Sequence, residues 1–95
     1  MIIRTLNQFK LEHPEYTGYI LVYAGFFVDK KLEEMLIDKK VTYIKLNYNE
    51  LENDFLKFLE PGIGPCLIYL ENGKIAKKLL SLVSSNKLNE WLGLG

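Results

Sequence analysis

Three stretches of the chain are apolar almost without interruption. Gly18 opens the run Tyr19-Ile20-Leu21-Val22-Tyr23-Ala24, Val41 to Leu46 is β-branched and aromatic, and Cys66-Leu67-Ile68-Tyr69-Leu70 follows a breaker-rich segment. Continuous apolar runs of this length predict strands, and the Tyr19–Ala24 run reads as a central strand covered on both faces. Between the runs the spacing changes to three and four residues. Leu32, Met35 and Leu36 place a helix from an Asp29 cap through Lys40, and Leu51, Phe55, Phe58 and Leu59 place another from Asn47 to Leu59.

The ends of the chain carry clearer punctuation. Met1-Ile2-Ile3-Arg4 is a short apolar start that predicts a strand. Thr5 and Gln8 are spaced as a capping box for a helix that His13-Pro14 must end, because a residue before proline is pushed out of the helical region. Asn72-Gly73 lies between two apolar runs, a strong hairpin signal, with Ile75 to Leu80 as the return strand. Ser84 or Ser85 caps a last helix with Leu88, Trp91 and Leu92 on one side and Gly93 as its stop. The order is β-α-β-α-β-α-β-β-α. Strands joined through helices pair in parallel and the hairpin adds antiparallel strands, so the expected class is α/β, a mixed sheet flanked by helices on both faces. No repeat or linker divides residues 1–95, which read as one domain.

Composition narrows the function classes. Apolar residues are 48% and charged residues 25%, a balance that supports a packed core rather than disorder. Lys plus Arg and Asp plus Glu are both 12, and Arg4 is the sole arginine. A nucleic-acid partner is therefore not expected, since phosphate neutralisation draws on a basic surplus and base readout on arginine forks. One cysteine, Cys66, excludes an internal disulfide and fits a reducing, cytoplasmic setting. No run approaches a membrane span, so no membrane association is expected.

Taken in order, these segments resemble the thioredoxin superfamily. Ile20-Leu21-Val22 is similar to its central strand and Thr42-Tyr43-Ile44-Lys45-Leu46-Asn47 to the strand after its active-site helix. The segment from Gly62 through Pro65 and Cys66 to Asn72-Gly73-Lys74 is similar to its glycine, cis-proline, apolar strand and Asn-Gly turn. The resemblance covers nearly the whole chain and implies a cis peptide at Pro65. It also exposes departures. The region that would carry the Cys-x-x-Cys motif reads Gly25-Phe26-Phe27-Val28-Asp29-Lys30-Lys31-Leu32, without cysteine. The connection from Val22 to Leu46 is about two helical turns short, and Tyr23 stands where the family often keeps a buried carboxylate.

The chemistry left to this chain is sparse. Cys66 is either a small buried hydrophobe or a thiolate activated by the nearby helix start, which would allow monothiol, glutaredoxin-like exchange. His13 precedes the central strand and Cys66 enters an antiparallel neighbour at its other end, so a Cys-His dyad is disfavoured. One His and one Cys do not make a zinc site, and Glu33-Glu34 and Glu50-Glu52 read as solvated charges, so no metal and no cofactor are expected. Lys74, Lys77, Lys78 and Lys87 form at most a modest basic patch. The resemblance implies that Phe26, Phe27, Ile63, Gly64 and Pro65 lie together, where an outward ring and an open backbone edge would suit a protein partner. The expected function is a redox-inactive protein-interaction or assembly module, including homo-oligomer formation, with Cys66 exchange as the alternative.

Overall fold

The reciprocal cap at Thr5 forms as its spacing requires. The Gln8 amide donates to Thr5 Oγ1 at 3.1 Å, and the Thr5 amide donates to Gln8 Oε1 at 3.0 Å. In the computed structural model, which describes residues 3–25, 27–61, 66–79 and 85–93 but not the side chains of 27–29 and 85, this cap starts helix α1, Leu6–Glu12. Strand β1 (Gly18–Tyr23), helix α2 (Phe27–Asp38), strand β2 (Tyr43–Asn47), a 3-10 turn at Tyr48–Glu50, helix α3 (Asn53–Leu59), strands β3 (Cys66–Glu71) and β4 (Lys74–Leu79), and helix α4 (Ser85–Leu92) follow.

Among the described residues the sheet has four strands in the order β2-β1-β3-β4. β1 runs parallel to β2 and antiparallel to β3, which pairs antiparallel with β4. Asn72 and Gly73 take φ of 53° and 80°, the left-handed pair that a two-residue hairpin turn with the right twist requires. Ala76 is the extra residue in β4, because Tyr69 faces Lys77 while Leu70 faces Ile75.

The pleat splits the core in two. Ile20 and Val22 of β1, Cys66 and Ile68 of β3 and Leu46 of β2 meet Phe9 of α1 and Phe55 and Leu59 of α3 on one face. Leu21 and Leu67 meet Leu32 and Leu36 of α2 and Leu88 of α4 on the other. Ile20, Leu21 and Val22 are all fully buried, as expected of a strand sandwiched between helix layers. α4 is pinned to β4 by polar contacts as well: Trp91 Nε1 donates to the Lys78 carbonyl at 3.1 Å, and Lys77 Nζ donates to the Trp91 carbonyl.

Four expectations change. Ile3 and Arg4 are not in a strand, and Met1 and Ile2 lie outside the described residues. Arg4 spends its amide on Gln8 Oε1 and its carbonyl on the Glu52 amide, which leaves neither for a ladder. The second helix begins at Phe27, so Asp29 lies inside it rather than capping it; Gly25, at φ 90°, turns the chain directly after β1. The third helix is broken at Leu51 and Glu52, both extended, since Leu51 is buried in the core while the Glu52 amide is held by Arg4. β2 starts at Tyr43 rather than Val41. α4 stops at Gly93, φ 81°, as expected; its first residue is Ser85, and Ser84, the other cap candidate, lies outside the described residues with Leu80.

Candidate functional site

Cys66 is the first residue of β3 and pairs with Val22 of β1. Its side chain points into the α1/α3 core and has no solvent exposure. Burial pushes its thiol up to about 11, against a smaller downward pull from Lys78. At pH 7 such a thiol stays protonated. The small-hydrophobe reading of Cys66 is the one this geometry matches, whereas an activated thiolate needs exposure and a dominant positive neighbour.

Lys78 is placed by the same strand logic. It sits opposite Ile68 on the α1/α3 face, donates to the Glu60 carbonyl at 3.1 Å and lies 4.0 Å from the Glu60 carboxylate. Lys77, one residue earlier, turns to the other face, with its ammonium 4.6 Å from the Trp91 ring centroid. Lys87 lies 3.9 Å from Glu90. Lys74, Lys77, Lys78 and Lys87, read as at most a modest basic patch, are divided between surfaces: adjacent residues of a strand face opposite ways, and three of the four ammonium groups are engaged.

His13 is at the opposite end of the sheet from Cys66. It follows α1 and packs its ring against Phe9, tilted at 5.3 Å, and edge-on against Tyr16 at 5.5 Å, and the Tyr16 carbonyl accepts from the Gly73 amide in the hairpin turn. That turn adjoins Leu70, which pairs with Gly18, while Cys66 pairs with Val22. Four residues of strand, about 13 Å, separate the two ends, so the dyad does not form.

Tyr23, in the position the resemblance aligns with a buried carboxylate, is half-buried and takes part in a chain of polar contacts. Lys45 Nζ lies 4.1 Å from its ring centroid and 3.3 Å from Glu33 Oε2. Tyr43 donates its hydroxyl to the same Glu33 oxygen at 2.8 Å. Burial first, and the Glu33 hydrogen bond second, push the Tyr43 phenol up to about 12. Sequence reading missed this network, although Tyr43 and Lys45 are two apart on one strand and so share a face. Glu33 forms an ion pair with Lys45, and no group of three His, Cys, Asp or Glu gathers among the described residues.

Of the partner-binding residues expected, Phe26, Ile63, Gly64 and Pro65 lie outside the described residues, and so does the expected cis bond at Pro65. Phe27 is the first residue of α2, with its side chain also outside the description. Gly25 is exposed directly beyond β1, at the same end of the sheet as Cys66.

A mixed sheet in this order, with α1 and α3 on one face and α2 and α4 on the other, is the thioredoxin fold. The chain superposes on Plasmodium falciparum thioredoxin with a TM-score of 0.72 at 14% identity, covering 98% of this chain and 95% of that one. It matches reduced Schistosoma mansoni thioredoxin pre-protein at 0.72 and 12%, covering 97% and 93%, and oxidized mitochondrial thioredoxin 3 of Saccharomyces cerevisiae at 0.71 and 16%, covering 100% and 94%. At these identities the likeness is one of fold. No protein-family model matches the chain. No curated protein matches it either. With one cysteine in the sequence, this thioredoxin fold carries no Cys-x-x-Cys pair. Among the described residues no helix is long and apolar enough to cross a membrane.

Proposed function

We propose that this domain is a protein-interaction module on a thioredoxin fold that works without thiol–disulfide chemistry. The observation that carries the reading is Cys66: the one cysteine is fully buried and its thiol is pushed up to about 11, which supports a role that does not draw on a thiolate. The same observation weighs against monothiol exchange.

The binding surface in this reading is Phe26, Phe27, Ile63, Gly64 and Pro65, which in sequence lie between β1 and the first turn of α2 and directly before β3. The reasons are chemical. Two consecutive aromatic rings supply apolar contact, and a Gly-Pro backbone lets an extended peptide approach closely enough for strand-type hydrogen bonding. A single cysteine fits a reducing compartment, so we place the protein in the cytoplasm as one domain, acting alone or as a homo-oligomer.

The test is an NMR titration of the ¹⁵N-labelled protein with extended apolar peptides. Shifts concentrated at the Phe26, Phe27, Ile63 and Gly64 amides support the reading. Peptide binding that moves only other amides, or disulfide exchange with glutathione at neutral pH in the folded state, counts against it. Sedimentation at several concentrations separates the homo-oligomer from the monomer.

A further inference from the structure

We infer that a second site, at the end of the sheet remote from Cys66, binds a free apolar organic acid, an aryl or alkyl carboxylate. It is a groove of about 460 Å³ between α1, α3 and the β3–β4 turn, within the size range of small-molecule sites. Its floor is apolar: Leu6 and Phe9 from α1 and Phe58 from α3. Phe9 is fixed from below by Phe55, with ring centroids 5.4 Å apart.

The rim is mostly basic. Lys10, His13 and Lys74 line it, with Glu15 as the one acid. Lys10 and Lys74 are exposed, and among the described residues neither has an ion pair or a hydrogen-bond partner for its ammonium. Lys30, Lys40 and Lys57 are likewise exposed without such a partner among the described residues, so what sets Lys10 and Lys74 apart is that they line this groove together. The chain as a whole has zero net charge, so two unpaired ammonium groups over an apolar floor are a local feature. An anion placed between them gains from both charges, and its apolar body gains from covering Leu6 and Phe58.

The groove is also held in shape before any ligand arrives. The Gly73 amide donates to the Tyr16 carbonyl at 2.9 Å and the Asn72 amide donates to Thr17 Oγ1 at 3.0 Å, which docks the hairpin turn on the loop after α1. Glu15 holds a left-handed φ of 50°, a conformation that such a residue keeps only when its surroundings fix it. A preorganised wall reduces the ordering cost of binding. An apolar monoanion fits better than a phosphate because lysines act as point charges, no arginine fork is present, and the floor has no polar cradle.

The test uses 4-phenylbutyrate and its uncharged analogue 4-phenylbutanol, titrated into the ¹⁵N-labelled protein. The groove is expected to bind 4-phenylbutyrate with Kd of about 1 mM. The expected result is saturable shifts at Lys10, His13, Asn72, Gly73 and Lys74, with Tyr23, Gly25 and Cys66 unmoved. The alcohol should bind about fivefold more weakly, and the double variant Lys10→Gln/Lys74→Gln should weaken the acid by about five- to tenfold. Equal binding of acid and alcohol, shifts outside the groove, or no saturable shift by about 20 mM overturns the inference. The acid-against-alcohol comparison is made on the unsubstituted protein, so it holds even if the double variant fails to fold.

Discussion

Replacing Cys66 separates a packing role from a chemical one. The sulfur lies in the α1/α3 core with no exposure. Cys66→Ala forfeits about 1 kcal/mol of transfer free energy for that atom. A residual cavity of about 20 Å³ adds about 0.5 kcal/mol at about 24 cal/mol per Å³, for a total of about 1.5 kcal/mol. In a domain of this length that lowers Tm by about 6–12 °C. Cys66→Ser keeps the volume but buries a hydroxyl among apolar neighbours, which costs about 1–3 kcal/mol where no partner is available. The expected order of stability is therefore Cys, then Ala, then Ser, reading about 2 kcal/mol for the serine variant. Urea unfolding under reducing conditions, followed by Trp91 fluorescence, measures it. An exposed nucleophile would give a different order, because serine is the gentlest change on a wet surface. A serine variant within about 0.3 kcal/mol of the parent refutes the buried-hydrophobe account.

Three other outcomes test the remaining supports. Trp91→Phe removes the hydrogen bond to the Lys78 carbonyl and weakens the Lys77 stacking, so it should cost about 1–2 kcal/mol. Hydrogen exchange will show that loss concentrated in α4. Gly73→Ala should cost about 1 kcal/mol through backbone strain at φ 80° alone, because the added Cβ meets Glu15 Cα at an ordinary 3.5 Å; denaturant midpoints check it. Tyr43 has its folded pKa raised to about 12, above the value of about 10 in the unfolded chain. Its contribution is complete below about pH 10 and is lost as pH rises toward 12, so the stability gap between the parent and Tyr43→Phe should be smaller at pH 11 than at pH 8.

Most of the architecture is legible in the chain because its signals are local. Thr5 and Gln8 are three apart and cap each other, Asn72-Gly73 makes its own turn, and the Ile20-Leu21-Val22 run leaves no polar face for solvent. What escapes sequence reading depends on distant partners. Arg4 is drawn out of a strand, and the expected third helix is broken at Glu52, by one hydrogen bond between residues 48 positions apart. The split of Lys77 from Lys78 follows from the period of two along a strand. The Glu33–Tyr43–Lys45 network joins a helix to a strand, and no spacing rule connects them. For the site, the chain shows which chemistry is missing, through its single cysteine. Only the fold shows that Cys66 faces the core, because an apolar strand covered on both faces gives no sign of which residues lie deepest.

The central claim is that the one thiol of this thioredoxin fold is out of use in the native state. Iodoacetamide alkylation of Cys66 against pH, followed by mass spectrometry on the folded protein, tests it most directly. Negligible modification at pH 7–8, rising only toward pH 11 and becoming rapid at neutral pH once urea unfolds the chain, is the predicted result. A native-state rate that titrates at or below about pH 8.5 contradicts the account and restores Cys66 as a working nucleophile.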